Sequence, residues 1–160
     1  MLNIEIVCVG KIKEQYLRDA IAEYSKRLSK YCNLRITELP DEKLPKKLYE
    51  SNILEVKSKE SKMIIDAIKK DSYVICLDLK GKEISSEEFS KKLDDISLNY
   101  NSNITFVIGG TLGMTDIVLQ MANEKLCFSK MTFPHQLIRV FLLEQIFRGF
   151  KISKGETYHW

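Results

Sequence analysis

Asn103-Ile-Thr-Phe-Val-Ile108-Gly109-Gly110-Thr-Leu-Gly113 is the stretch on which the fold of this chain turns. Its first part is short, apolar and rich in β-branched side chains, as a buried strand requires, and glycines follow at once. Further on, a second short apolar run, Leu126-Cys-Phe128, passes into Ser129-Lys-Met-Thr-Phe-Pro-His135. Strand ends that open into glycine-rich or polar loops are the parts of a ligand crevice, because open α/β sheets bind ligands beyond the carboxyl ends of their strands. Two such units in succession place a candidate site in the C-terminal third.

Towards the N-terminus the same alternation continues. Leu2 to Val9 reads as a strand, and Glu14 to Lys30 carries Tyr16-Leu17, Ala20-Ile21, Tyr24 and Leu28 at helical spacing. Leu34 to Leu39 alternates like a strand and stops at Pro40. After the loop Pro40 to Pro45, in which Pro45 can open a helix, a helical pattern runs from Leu48 to Lys70 and ends in two lysines suited to the helix dipole. Tyr73 to Leu79 is almost continuously apolar, the mark of a strand covered on both faces. Gly81-Lys82 turns the chain, and Ser85 or Ser86, with Glu87 and Glu88 behind it, caps a helix reaching about Asn99. Beyond the glycine loop come a short helix, Asp116 to Glu124, the strand Leu126 to Phe128, and a long helix from Pro134 to Ser153. Strand-helix alternation of this kind predicts a single α/β domain spanning residues 1–160, with a parallel sheet covered by helices on both faces.

Composition narrows the class. The 160 residues suffice for one domain with a real core, and 44% hydrophobic with 29% charged residues is ordinary for a soluble protein. No apolar run reaches membrane-spanning length, and Met1 to Val9 reads as a strand and not as a signal peptide. Cys8, Cys32, Cys76 and Cys127 form no CxxC pair and read as buried thiols, which suits the cytoplasm. A formal net charge of +3 permits an RNA partner without requiring one. With two histidines and no Cys/His cluster, no metal site is expected. Lys57 to Lys62 reads as a solvated helix face.

Several groups can carry chemistry. Gly109, Gly110 and Gly113 let a backbone approach a ligand, or simply turn a strand into a helix. They match neither GxGxxG nor a P-loop, which disfavours a nucleotide-phosphate enzyme. Ser129 to Phe133 offers backbone donors and acceptors, hydroxyls and an apolar Met/Phe surface, a mixture that suits an adenosine. Ser129 or Thr132 is equally suited to cap the helix behind it. His135 at a helix start is disposed to be neutral, as a hydrogen-bonding residue or as a base. Arg139, Glu144 and Arg148 recur at helical intervals, as a salt-bridged ladder or as phosphate ligands, beside an apolar stripe of Leu137, Val140, Phe141, Leu143, Ile146 and Phe147. The tail ends in Tyr158-His159-Trp160, aromatics that call for a crevice, a partner subunit, a nucleobase or the chain's own core to pack against.

Phe106-Val-Ile-Gly-Gly110 with Gly113, Phe128-Ser-Lys-Met-Thr-Phe-Pro-His135, Arg139, Glu144-Gln145, Arg148 and Gly155-x-x-Tyr158-His159 together resemble the ribosomal RNA large subunit methyltransferase H family. Val9-Gly10-Lys11, Glu23-Tyr24-x-x-Arg27 and Lys57-x-Lys-Glu60 extend the resemblance over essentially the whole chain. The chain departs from the family's usual pattern at Thr111-Leu112, Phe147, Gly149 and the terminal Trp160. The resemblance implies a SPOUT-type fold whose segment 103–160 forms a trefoil knot, an exception to un-knotted topology. It also implies a cytoplasmic homodimer with the active site near the subunit interface. The reaction implied is transfer of a methyl group from S-adenosyl-L-methionine to ring nitrogen 3 of a pseudouridine in helix 69 of 23S rRNA, within the assembled ribosome and without a metal. The cofactor-binding residues implied are Leu77, Gly109, Gly110, Gly113, Phe128, Ser129, Lys130, Met131, Thr132 and Phe133. His135, Arg139, Tyr158 and His159 fall on the substrate side, with His159 or Tyr158 handling the ring proton and Arg139 stabilising the deprotonated ring. Lys11, Lys13, Lys26, Arg27 and Lys30 are candidate phosphate contacts. A non-catalytic RNA-binding or ribosome-assembly factor on the same fold is the rival class, separated from the enzyme by methyl transfer itself.

Overall fold

The apolar runs form strands because each lies in a sheet covered on both sides. A computed structural model describes residues 1–158. Its strands are β1 (Leu2–Val9), β2 (Cys32–Leu39), β3 (Tyr73–Lys82), β4 (Asn103–Ile108) and β5 (Glu124–Leu126), paired in the order β2-β1-β4-β3-β5 with every pairing parallel. Helices α1 (Gln15–Leu28), α3 (Ser86–Asn99) and α5 (His135–Ser153) pack together on one face, and α2 (Glu50–Ala67) and α4 (Asp116–Met121) on the other. Alternate residues of one strand feed opposite cores. Ile4, Ile6 and Cys8 join Leu142, Leu143 and Ile146 on one side, while Val7 and Val9 join Ile64 and Val118 on the other. That double coverage also holds for β3 and β4, where Ile75 and Phe106 face one core and Cys76 and Val107 the other, and explains why they read as nearly continuous apolar runs.

The chain steps outward from β1 to β2, crosses back to β3, and then inserts β4 between β1 and β3. The direction of winding therefore reverses beside β1 and β4, and a crevice belongs outside the carboxyl ends of strands at such a point.

Several boundaries differ from expectation. Helix α2 starts at Glu50 behind an extended Tyr49, so Pro45 stays in the preceding loop. It stops at Ala67 because Ile68 is extended, which leaves Lys69 and Lys70 outside and no cation in its last turn. Helix α4 ends at Met121. Ala122 is extended, and Asn123 then exchanges two hydrogen bonds with Val74, its amide N–H donating to the Val74 carbonyl and its side-chain oxygen accepting from the Val74 N–H. Strand β5 lies two residues earlier than the apolar run suggests. Leu126 pairs with both Leu77 and Lys82 across an irregularity in β3, which ends β5 there; Cys127 N–H still donates to Lys82 O at 3.0 Å, and the chain leaves the sheet beyond it.

Of the two candidate caps for α3, Ser85 serves. Its hydroxyl accepts from Glu88 N at 3.1 Å while Glu88 Oε1 accepts from Ser85 N at 3.2 Å, a complete capping box. Ser85→Ala is expected to cost about 1 kcal/mol in urea denaturation; a midpoint equal to wild type would show that the box contributes nothing.

All four cysteines are free and buried. Burial pushes the thiol of Cys8 up to about 11 and those of Cys32 and Cys76 up to about 12. At pH 8 these three should react with a disulfide reagent only as fast as the protein opens. Immediate labelling of any of them in the native state would contradict the packing.

Candidate active site

Strand register brings the predicted loops together. Leu77 lies opposite Ile108 of β4 on one side and Leu126 of β5 on the other, so the loops after Ile108 and Leu126 leave the sheet at one rim, level with Leu77 of β3. Gly113, with φ +84°, closes the glycine loop by donating its N–H to Gly110 O at 3.0 Å. The loop is tightly seated. A Cβ on Gly109 would lie 2.8 Å from Met114 Cγ, and one on Gly110 would lie 2.7 Å from Glu60 Oε1.

The second loop is organised by its own atoms. Ser129 Oγ accepts from Met131 N at 3.0 Å, and the Cys127 thiol donates to Ser129 O at 3.0 Å. Neither Ser129 nor Thr132 caps α5, whose N-cap is Pro134 without any side-chain bond. Lys130, Met131 and Thr132 consequently stand exposed at the rim, Met131 at 74%. Phe133 meets Phe141 edge-on at 5.5 Å.

The end of β1 supplies the third wall. Cys8 pairs with Ile108, and Gly10 then turns the chain at φ +95°. His135 and Arg139 reach this turn from α5, His135 Cε1 being 3.3 Å from where a Gly10 Cβ would sit. Arg139 does not face outward as a substrate ligand or ladder member. It is 2% exposed, and its guanidinium donates to Val9 O and Gly10 O, both at 2.8 Å, and to Glu38 Oε2 at 2.9 Å. Of the three residues, Glu144 and Arg148 form the ion pair, at 3.1 Å. The core stripe of α5 is correspondingly rotated to Arg139, Leu142, Leu143, Ile146 and Phe147, which leaves Leu137, Val140 and Phe141 on a less buried flank. Burial, reinforced by the Arg139 charge, lowers the His135 pKa against the opposing pull of Asp41, so the imidazole is neutral near pH 7.

Among the described residues, four buried polar side-chain atoms have no hydrogen-bond partner: Glu60 Oε1, Thr115 Oγ1, His135 Nδ1 and Arg139 Nε. All four border the turns at the carboxyl ends of β1 and β4. Buried polar groups are normally satisfied by protein, ligand or ordered water, which makes this concentration a candidate ligand site.

Glu60 and Ser61 were not among the expected site residues, because Lys57 to Lys62 reads as a solvated face. Both are buried. The signal was available: Val56, Glu60 and Ile64 share one helical stripe, which puts a carboxyl group in line with core residues.

The tail docks elsewhere. Tyr158 donates its hydroxyl to Glu144 Oε1 at 2.7 Å, packs edge-on against Phe147 at 5.0 Å, and lies 4.7 Å from the Arg148 guanidinium. Tyr31 and Lys151 hold Glu156 at 2.8 and 2.7 Å. Glu144 follows His135 by about 14 Å along α5, so Tyr158 does not join His135 within one chain. His159 and Trp160 lie outside the described residues.

A parallel sheet whose glycine loop and Cys127–Phe133 segment leave at one rim beside the end of β1, free of any phosphate-loop signature, defines an α/β protein with a candidate ligand site at that rim. The family described as "Predicted SPOUT methyltransferase" matches residues 2–159, and the chain belongs to the SPOUT methyltransferase family. It is 58% identical over 158 residues to "Ribosomal RNA large subunit methyltransferase H" of Clostridium acetobutylicum, and 54% identical to the protein so named in Clostridium tetani. Each match covers 99% of both chains. A solved structure titled "The structure of a probable methylase family protein from Haemophilus influenzae Rd KW20" shares the fold, with TM-score 0.55 and 14% identity over 98% of this chain and 70% of that one.

Proposed function

We propose that this protein methylates ribosomal RNA of the large subunit, transferring a methyl group from S-adenosyl-L-methionine to ring nitrogen 3 of a pseudouridine in helix 69 of 23S rRNA within the assembled ribosome. The observation that carries the reading is the meeting of Leu77, the Gly109–Gly113 loop and the Phe128–Phe133 loop at one rim. These residues fit the cofactor's chemistry. Leu77, Phe128 and Met131 offer apolar surface to a ring, and the irregular backbone of residues 129–133 offers hydrogen bonds to its edge. The names of its relatives, ribosomal RNA large subunit methyltransferases, support an RNA substrate.

The active form is a homodimer working in the cytoplasm. The less buried flank of α5, Leu137, Val140 and the 36% exposed Phe141, is apolar surface suited to a subunit interface. The separation of Tyr158 from His135 makes a site composed from two subunits the economical arrangement. Segment 103–160 is assigned the trefoil knot of the family. The close passage of Gly81 against the Lys125–Leu126 backbone is consistent with one segment threading past another. No described helix is long and apolar enough to cross a membrane.

When bound, the cofactor supplies an electrophilic methyl group, and no metal is required. The protein's work is alignment and proton handling. Leu77, Gly109, Gly110, Gly113 and Phe128–Phe133 orient the donor. Neutral His135 offers a hydrogen bond to the base. Arg139 acts through the turn: its bonds to Val9 O and Gly10 O hold the backbone against which His135 rests. Burial and the Glu144 bond raise the pKa of Tyr158, so its phenol keeps its proton and serves as a donor, and acceptance of the ring proton falls to His159.

The test is methyl transfer from labelled S-adenosyl-L-methionine to ribosomes lacking the modification, with separated subunits and free 23S rRNA in parallel. Label on the helix-69 pseudouridine in intact ribosomes is expected. Cofactor binding with no label on any RNA would overturn the enzyme in favour of a binding or assembly factor.

A further inference from the structure

Glu60 is the group that the reaction leaves unused. Its side chain is buried to 4% exposure in the α2 face that packs against β1 and α4. Glu60 Oε2 accepts from Glu42 N at 3.0 Å, whereas Oε1 has no partner and lies against the backbone of Gly110. The next residue, Ser61, accepts from Thr115 N at 3.1 Å. Adjacent residues of α2 thus back the glycine loop at both ends, Glu60 behind Gly110 and Ser61 at the start of α4.

The local charge is unusual for a chain of net charge +3. Glu60 has Asp41 and Glu42 beside it in the β2–α2 loop, and Asp41 also approaches Gly10. Lys57 stands one turn earlier on α2. Beyond Val9–Gly10, Arg139 is committed to the Val9 and Gly10 carbonyls and Glu38, and His135 is neutral. Among the described residues no cation is bonded to Glu60, and the acceptor Oε1 has no donor.

We propose that Glu60 is a positioning and charge-sensing residue of the crevice: its buried carboxyl group, with Oε1 unpartnered behind Gly110, shifts towards the carboxylate when a cationic methyl donor binds, and the proton it sheds passes to solvent. The inference rests on the cofactor reading above. Desolvation raises the Glu60 pKa, the Glu42 N–H bond to Oε2 lowers it, and the charges of Asp41 and Glu42 raise it, so the net shift is upward and favours the neutral acid more than in an ordinary carboxyl group. A sulfonium cation in the crevice stabilises the carboxylate by Coulomb attraction, and the neutral thioether left after methyl transfer does not. Glu60 thereby favours the charged donor over the spent product, which aids product release.

The sign follows from linkage. Binding that releases a proton strengthens as pH rises, and affinity falls by up to about ten-fold per pH unit below the pKa of the free protein. Calorimetric titration of the full chain with S-adenosyl-L-methionine and with S-adenosyl-L-homocysteine, in two buffers of different ionisation enthalpy, reads both affinity and proton release. Wild type should release a proton with the methionine ligand only, and its affinity for that ligand alone should fall with acid. Glu60→Gln should abolish the release and flatten the profile. Should that variant not fold, Asp41→Asn, which removes a charge that raises the Glu60 pKa, should move the midpoint of the profile to lower pH. Equal pH profiles for the two ligands, or release that persists in Glu60→Gln, would overturn the inference alone. Failure of wild type to bind either ligand would overturn the cofactor reading and the inference with it.

Discussion

Arg139→Ala should lower the unfolding free energy by about 3–5 kcal/mol, an effect on folding larger than any expected from loss of a substrate contact. Arg139 donates three hydrogen bonds, two to the main-chain carbonyls of Val9 and Gly10 and one to Glu38. Truncation leaves two buried carbonyls without donors and opens a void under α5. Glu38 is partly solvated, so the orphaned carbonyls and lost packing outweigh the broken ion pair. Arg139→Lys should recover only part of the loss, because one ammonium group does not reproduce the forked donation. Equilibrium denaturation decides the matter. A stable Arg139→Ala protein with collapsed turnover would instead place Arg139 at the substrate.

Gly81→Ala should be comparably severe, about 3 kcal/mol or more, and should weaken cofactor binding at least ten-fold. The added Cβ would lie 2.6 and 2.7 Å from Leu126 C and N, and 2.8 Å from Lys125 C. These are backbone atoms of β5, so no rotamer change relieves the contact. The strand must move, and with it the Cys127–Phe133 segment that forms one wall of the crevice. Denaturation together with calorimetric titration of the cofactor tests both consequences. Wild-type values in both would mean that Gly81 is a spacer and not a packing requirement.

The fold was legible because its signals are local. Apolar strand runs, helical spacing, the Ser85 cap and the glycines after Ile108 each act through near neighbours in the chain. The boundaries of α4 and β5 failed where a distant strand intervened. Leu126 is claimed by Leu77 and Lys82, and Asn123 by Val74, and neither partner is visible from a short window of sequence.

The candidate site divides along the same line. Residue types and order in Gly109–Gly113 and Ser129–His135 mark two crevice loops before any coordinates exist, since backbone freedom and strand ends are properties of short segments. Their meeting with Leu77 depends on β4 entering between β1 and β3, a matter of sheet order. The direction of Arg139 and the burial of Glu60 likewise depend on which helix flank meets the sheet. A charged side chain in a helical pattern does not reveal whether water or a main-chain carbonyl will solvate it. Packing against the end of β1 settles that for Arg139, and packing behind Gly110 settles it for Glu60.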